Sequence, residues 1–273
     1  MPDTPKPRTR SLTITILLAL GLTAGVLGGL LGIGGGAFIV PALVFFLAFE
    51  QHRAHGTSLA VVLALSLSSV ITYSFHHRVD LLLAGEIAIG GVVGAMIGGT
   101  IVQKIKNTTL RRMFSLFLFA AGVKMSLDGY KIFHDAYLAG GHFATVVPLG
   151  FCWAGVLLAI GTGMITGFLS GLLGVGGGIV MVPMLTMFLC LPQQQAQGVS
   201  LAAMMPIAFT GMLKHNKLGN VDFKVAQWVA VGAVIGAIAG STLANILNPG
   251  QLKLGFGAFL IIMSALMAAK KSS

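Results

Sequence analysis

The feature that most constrains the fold of this chain is a series of apolar stretches, each about 20 residues long, that recurs along its whole length. A helix of that length spans the hydrocarbon core of a bilayer. Only 9% of the 273 residues are charged, whereas soluble domains have about 25%. The chain lacks the polar surface of a soluble protein, so the sequence predicts an all-α polytopic membrane protein.

An internal repeat with a constant spacing of 142 residues runs through the chain. The segment Gly29-Leu-Leu-Gly-Ile-Gly-Gly-Gly36 returns as Gly171-Leu-Leu-Gly-Val-Gly-Gly-Gly178, and 12 of the 19 positions from 29 to 47 are identical to their counterparts. The same spacing relates the glycines at 90, 94 and 98 to those at 232, 236 and 240. Such agreement indicates a duplicated unit. Glycines four residues apart are expected to let helix backbones approach closely.

Each repeat is predicted to contain a glycine-broken helical hairpin followed by three transmembrane helices. The first repeat spans 12–128, with the broken helix pair at 12–49 and helices at 57–76, 81–103 and 108–128. The second spans 148–270, with the broken pair at 148–191 and helices at 198–215, 224–246 and 250–270. Residues 1–11 are a predicted cytoplasmic N-terminus, and 129–147 form a linker that has no counterpart in the repeat.

The basic residues predict how the two repeats are oriented. If each glycine break returns the chain to the side from which it entered, 13 of the 17 Lys and Arg residues share the side of the N-terminus, as the positive-inside rule requires. If each broken segment crossed once instead, the basic cluster at 104–112 would lie outside. Three crossings then follow each hairpin, and three is odd. The second repeat is therefore expected to be inverted, as in many secondary transporters, with both termini in the cytoplasm.

The glycine breaks are the predicted binding site for a small anion. A break inside an apolar helix frees backbone groups that must face protein, water or a ligand. A new helix begins after each break, with Pro41 or Pro183 near its first turn, and a helix N-terminus offers free N–H groups and partial positive charge. Inverted symmetry would bring both N-termini to one anion near the bilayer midplane. A packing kink without a ligand is the alternative. The residues predicted to bind are Gly34, Gly35, Gly36, Gly176, Gly177 and Gly178.

Polar residues at two helix starts form a second group of candidates. Thr57 and Ser58, with Ser200 at the equivalent start, are either hydroxyl donors to the same anion or N-caps. Ionisable residues in membrane segments are functional candidates by default, and equivalent positions can differ, as His55 and Gln197 do. The residues assigned to gating or coupling are His55, Gln197, Lys214 and His215, with snorkelling of Lys214 to the cytoplasm as its alternative. Hydroxyls at 66, 68, 69, 72 and 74 enrich one helix, and Pro206 with Thr210 in its counterpart suggests a water-accessible kink.

Several classes of function are disfavoured by the residues. Cys152 and Cys190 lie in apolar surroundings and indicate neither a disulfide framework nor a metal site, so no metal, cofactor or catalytic residue is expected. The net charge of +10 indicates membrane orientation and not nucleic-acid binding. No Walker motif is present in the sequence, so this chain alone would not use ATP. The expected partners are a small anionic substrate and the lipid bilayer, and homo-oligomerisation is left open.

Together, the doubled glycine motif, the following Pro41 and Pro183, the Gly-x-Ser helix starts and Gly219-Asn-Val-Asp222 resemble the TauE/SafE family of sulfite and organosulfonate exporters over residues 12–127 and 155–269. The resemblance implies a secondary transporter of the bacterial cytoplasmic (inner) membrane, not an enzyme. Its implied substrate is a small sulfur-containing anion such as sulfite, sulfoacetate or another organosulfonate. The first repeat departs from the pattern, with His76-His-Arg-Val-Asp80 in place of Gly-Asn-Val-Asp. An anion channel and an intramembrane serine hydrolase are the alternatives.

Overall fold

The structure is a computed structural model, and it describes residues 10–101, 107–138, 153–173 and 177–269. Within these ranges the chain forms ten α-helices and no strand. In chain order they are α1 (Arg10–Leu31), α2 (Gly36–Leu47), α3 (Gln51–Phe75), α4 (Leu81–Ile101), α5 (Asn107–Leu138), α6 (Trp153–Leu173), α7 (Gly178–Phe188), α8 (Gln193–Lys217), α9 (Phe223–Ile246) and α10 (Pro249–Ala269).

Several of these helices are suited to a bilayer. Among the described residues, five helical segments are long and apolar enough to cross a membrane. Large apolar side chains face outward along the bundle, such as Leu116, Ile235 and Leu266, and this exposed surface matches lipid and not water. The prediction of an all-α polytopic membrane protein is confirmed. The five segments are Ile14–Leu31, Gln51–Phe75, Gln193–Lys217, Phe223–Ile246 and Pro249–Ala268.

The sequence repeat is also a repeat of helices. The helices α2, α3, α4 and α5 begin 142 residues before α7, α8, α9 and α10, respectively. The equivalent helices α3 and α8 have the same length of 25 residues. The helices α2 and α7, with 12 and 11 residues, extend only about 16 to 18 Å, so each is a half-length segment that follows a glycine break.

Some helix boundaries differ from those read from the sequence. α3 and α8 begin at Gln51 and Gln193, ahead of the predicted 57 and 198, because tertiary packing keeps Gly56 and Gly198 inside helices. α5 continues to Leu138, so residues 129–138 of the predicted linker are helical; Gly129 there packs on α10.

The prolines also lie deeper than predicted. Pro41 and Pro183 are each the sixth residue of their helix, because α2 and α7 begin directly at Gly36 and Gly178. At that depth a proline removes one backbone hydrogen bond of the helix. Each short helix is therefore weakened close to the glycine break that precedes it.

Helices of one repeat pack on helices of the other through glycine. On α9, Gly232 faces Leu18 of α1 and Gly240 faces Val26, and in each case a Cβ atom would collide with the facing carbonyl oxygen. On α4, Gly90 faces α6 in the same way. The expected close backbone approach at the glycines spaced four apart is therefore confirmed at Gly90, Gly94, Gly232, Gly236 and Gly240.

The repeat-equivalent helices that touch each other run in opposite directions. Near one end of the central pair α3 and α8, Leu59 of α3 lies beside Gly211 of α8. At the other end, the Tyr73 hydroxyl of α3 lies 3.0 Å from Oε1 of Gln197 on α8. In α5 and α10, the Ser115 hydroxyl donates to the Ser264 carbonyl oxygen at 2.9 Å, and Gly129 further along α5 packs against Leu254 near the start of α10. An inverted repeat requires such antiparallel equivalents.

Candidate functional site

The first glycine break turns the chain from α1 into α2 within four residues. Gly34 and Gly35 both have φ of 70°, a left-handed conformation that side chains with a Cβ rarely adopt. Gly35 is the N-cap of α2, and no side chain caps that helix. The first residues of α2, Gly36 and Ala37, are nevertheless buried. The N-terminus of α2 is therefore an interior set of N–H donors without a side-chain partner.

The second break ends in a similar helix start. Gly177 is the N-cap of α7, again without a side-chain cap, but its φ of −61° is an ordinary helical value. Gly178 and Ile179 are buried. Gly176, which is predicted to bind with them, lies outside the described residues. The two breaks therefore share an uncapped, buried helix N-terminus, while the left-handed geometry is observed at the first.

The two breaks meet in space. A Cβ atom placed on Gly178 would lie 2.5 Å from Cα of Ile33 and 2.8 Å from its carbonyl oxygen. The N-terminus of α7 is thus in direct backbone contact with the first break. Only glycine at 178 permits this approach, because any side chain would displace the facing backbone. The start of α7 therefore lies against the segment of chain that leads into α2.

The crossing of α3 and α8 forms the wall around the first break. A Cβ atom on Gly35 would lie 2.9 Å from Cδ1 of Leu65, and one on Gly34 would lie 3.3 Å from Cγ1 of Val62. The methyl group of Met204, on α8, would also contact a Cβ atom placed on Gly34. The break therefore lies against the middle of both central helices.

Two serines of α3 lie on the helix face whose apolar side chains pack against this break. Ser66 and Ser69 fall on the helix face that also carries Val62, Leu65 and Tyr73, because these positions are separated by three, four or seven residues. Both serines are fully buried. Their hydroxyls have no hydrogen-bond partner among the described residues. An unpaired buried hydroxyl costs about 1–3 kcal/mol, so these groups are candidates to contact a substrate.

Tyr73 and Gln197 close one end of the site. The Tyr73 hydroxyl donates to the Gly29 carbonyl oxygen at 2.9 Å and lies 3.0 Å from Oε1 of Gln197. Gln197 is fully buried and packs against Gly32, and its Nε2 has no partner among the described residues. The run Gln193-Gln-Gln195 in the first turn of α8 is buried as well. These glutamines and Tyr73 are absent from the predicted binding set, although four glutamines at the start of an apolar helix were a visible signal.

The interior offers neutral donors only. Every buried polar side chain that the structure describes belongs to Ser, Thr, Gln or Tyr73. Positive potential at the breaks therefore comes from the two helix N-termini, each equivalent to about half an elementary charge. A site of this kind suits a small anion that accepts several hydrogen bonds, since no buried cation holds it permanently.

The predicted hydroxyl donors at the helix starts have other partners. Thr57 is buried and accepts a hydrogen bond from the Asp222 backbone N–H at 3.0 Å, which ties α3 to the start of α9. Ser58 donates to the His55 carbonyl oxygen within its own helix at 2.8 Å. Ser200 faces the sulfur of Met204 at 3.9 Å. Of the three, Ser200 lies on the α8 face that carries Gln197 and Met204.

The remaining gating candidates lie at the opposite end of the central pair from Tyr73. His55 is half-buried near the start of α3, and His215 is half-buried near the end of α8. Lys214 is exposed. Nearby, Arg53 and Asp222 form an ion pair at 2.6 Å. The basic residues Arg53, Lys214, Lys217 and Lys224 therefore gather at one end of the bundle.

Comparison with known proteins places this architecture in a family. The model of the family described as sulfite exporter TauE/SafE matches residues 2–125 and 159–273. The chain belongs to this family. The two matched segments fall on the two repeats, and residues 126–158 between them contain the end of α5 and the predicted linker.

Relatives of this TauE/SafE chain are described as membrane transporters. It is 29% identical to the probable membrane transporter protein YunE of Bacillus subtilis over 244 residues, which cover 85% of this chain and 89% of that protein. It is 26% identical to a probable membrane transporter protein of Methanocaldococcus jannaschii, with 94% and 96% covered. A probable membrane transporter protein of Xylella fastidiosa is 29% identical, with 93% and 95% covered. No solved structure matches. The chain is thus a TauE/SafE-family membrane transporter, as the sequence motifs predict.

Proposed function

We propose that this transporter is a secondary carrier, acting as an exporter, for a small sulfur-containing anion such as sulfite, sulfoacetate or another organosulfonate. The anion binds near the bilayer midplane between two inverted repeats. The observation that carries this proposal is the backbone contact between Gly178, at the uncapped, buried start of α7, and Ile33, two residues before Gly35 at the uncapped, buried start of α2. A multi-oxygen anion can accept hydrogen bonds from both at once.

The proposed binding residues belong to the two helix starts and to the two central helices. Gly34, Gly35 and Gly36 supply one helix start, and Gly176, Gly177 and Gly178 supply the other. Ser200 lies on the face of α8 that also carries Gln197 and Met204. Thr57 and Ser58 lie nearer the start of α3, and we assign them to the route of the anion along the central helices. Family membership supports the sulfur chemistry, because the family is described as sulfite exporters.

We further propose a bacterial inner membrane location with both termini in the cytoplasm. The gathering of Arg53, Lys214, Lys217 and Lys224 at one end of the bundle supports this orientation, because basic residues concentrate on the cytoplasmic side. The basic residue Arg78 lies at the opposite end, beside Gly198.

Binding of the anion is tested by thermal stabilisation of the purified protein with sulfite, thiosulfate, sulfoacetate and taurine, since a ligand that binds only the folded state raises its stability. The variants Gly35→Leu and Gly177→Leu should lose both this stabilisation and flux in proteoliposomes. Gly161→Leu is the matched control, because no atom lies within 4 Å of a Cβ placed there. Unchanged flux in both break variants would refute the site, and single-channel currents in place of saturable exchange would indicate a channel.

A further inference from the structure

The two ends of the central helix pair carry different side chains at equivalent positions. At one end, Tyr73 of α3 meets Gln197 of α8. The residues 142 positions away from them in the repeat are His215 and His55, respectively. Both lie at the other end of the same two helices. In the repeat, two histidines at one end therefore occupy the positions that Tyr73 and Gln197 occupy at the other end.

The backbone around both pairs is the same. The Arg78 N–H donates to the Tyr73 carbonyl oxygen at 3.0 Å, and its equivalent, the Asn220 N–H, donates to the His215 carbonyl oxygen at 2.9 Å. Gly198 packs beside Arg78 as Gly56 packs beside Asn220. The histidines therefore occupy the same structural place as Tyr73 and Gln197.

The two histidines lie close together where the start of α3 packs against the end of α8. A Cβ atom on Gly56, the neighbour of His55, would lie 3.0 Å from Cβ of His215. Both rings are only half-buried, so protons can reach them. Nδ1 of His215 is buried without a hydrogen-bond partner among the described residues.

The charged groups around the pair favour a single shared proton. Asp222, at the start of α9, already pairs with Arg53 at 2.6 Å, and Glu50 at the start of α3 is exposed. The other groups are cationic or titratable to a cation: His52 on α3, Lys214 and Lys217 on α8, and Lys224 on α9. Because cationic groups predominate among the described residues at this end, two protonated imidazoles would repel each other, so the pair is expected to bind one proton at a time.

We propose that His55 and His215 form a proton-binding site that couples proton movement to anion transport. This inference rests on the proposed function. Imidazole binds and releases a proton near neutral pH, which neither the phenol nor the amide at the other end does. A proton on the pair adds positive charge on the pathway between α3 and α8, which favours an anion at the breaks. By linkage, the anion favours the proton to the same degree.

Proton coupling is tested in proteoliposomes that contain a pH-sensitive dye and a gradient of a radiolabelled sulfonate. A sulfonate is used because its charge does not change between about pH 5 and 8, the range in which an imidazole ordinarily changes its charge. The wild type should move protons together with the anion, and its flux should change roughly tenfold across this range, a typical coupling. The double variant His55→Gln with His215→Tyr should still move the anion, but without protons and without this pH dependence.

The double variant is a matched one, because it installs the two side chains that the other end of the same helix pair already accommodates. Proton movement that persists in this variant would overturn the proposal. If the wild type moves neither the sulfonate nor sulfite or thiosulfate, the proposed function fails instead. In that case, the histidine pair is tested by following the ¹⁵N resonances of the two imidazoles as the pH is changed. A proton shared by the pair requires two separated titration steps. Independent titration of the two rings would refute the proposed proton site.

Discussion

At the residue scale, the side chains around the glycine breaks differ from the rest of the interior in their hydrogen bonding. Elsewhere, buried hydroxyls are paired, as Ser115 is with Ser264 across α5 and α10 and Ser241 with the Ala237 carbonyl oxygen at 2.6 Å. Beside the break, Ser66 and Ser69 are unpaired in the described part of the chain. This difference indicates that their hydroxyls serve a ligand more than the fold.

Ser69→Ala should therefore separate stability from binding. Removing a buried, unpaired hydroxyl should leave the melting temperature of the ligand-free protein unchanged or raise its stability by up to about 1 kcal/mol. Stabilisation by sulfite or a sulfonate should fall. Ser115→Ala is the control: it loses a made hydrogen bond, so it should destabilise by about 1 kcal/mol and keep the anion response. If Ser69→Ala lowers the stability but the protein is still stabilised by the anion, the Ser69 hydroxyl contributes to folding and not to anion binding.

Tyr73→Phe should have the opposite profile. The substitution leaves the Gly29 carbonyl oxygen and Oε1 of Gln197 buried without their donor, which costs about 1–3 kcal/mol. We expect a lower melting temperature in detergent. Tyr130→Phe, at a position 61% exposed, should melt like the wild type. Equal melting of the two variants would show that the Tyr73 bridge contributes little.

At the scale of helices, glycine sets the distance between α1 and α9 and between α4 and α6. Membrane helices gain no hydrophobic driving force from each other in lipid, so close backbone packing carries much of their association. The glycines achieve this contact by placing carbonyl oxygens of one helix against the Cα atoms of the other. Both helix pairs join one repeat to the other. The interface between repeats is therefore specified by glycine spacing.

Gly236→Ala should disrupt that interface. A Cβ at 236 would collide with the Leu22 carbonyl oxygen of α1, and overpacking of this kind costs about 1–3 kcal/mol. Gly255→Ala on α10 is the control, because a Cβ there meets no atom within 4 Å, and it should gain up to about 1 kcal/mol from helix propensity. Thermal unfolding in detergent measures both. A Gly236→Ala protein as stable as the control would contradict backbone contact at this site.

At the scale of the whole molecule, the antiparallel directions of α3 and α8 and of α5 and α10 determine how the repeats relate. The equivalent residues His76 and Leu218 end α3 and α8, and both are exposed. If the repeats are inverted, these two positions lie on opposite sides of the membrane. If they are parallel, both lie on one side.

Cysteine labelling distinguishes these arrangements. In a background with Cys152 and Cys190 replaced by serine, His76→Cys should react with a membrane-impermeant maleimide in intact cells. Leu218→Cys should react only after permeabilisation, because it belongs to the end that carries Lys214 and Lys217. Labelling of both positions from one side would contradict inverted repeats, and the reverse labelling would contradict the proposed orientation.

The membrane class and the glycine breaks were predictable because each depends on residues close together in the chain, and the duplication was predictable because it is a direct match between two parts of the sequence. Apolar runs of helical length need a bilayer, and Gly32 to Gly36 interrupts such a run wherever it is placed. The depth of Pro41 and the extension of α5 were not predictable, since helix ends depend on tertiary packing.

Only the tertiary structure decided which groups surround the breaks. The contact of Gly178 with Ile33, and the contacts of Tyr73 with Gly29 and Gln197, join residues that are far apart in sequence. Their meeting depends on how α3 crosses α8. The crossing also brings together the positions at which the repeats differ, because equivalent backbone positions at its two ends hold a phenol and an amide in one case and two imidazoles in the other. The sequence by itself determined that the two halves match, whereas the packing of α3 against α8 decided where their differences are brought together.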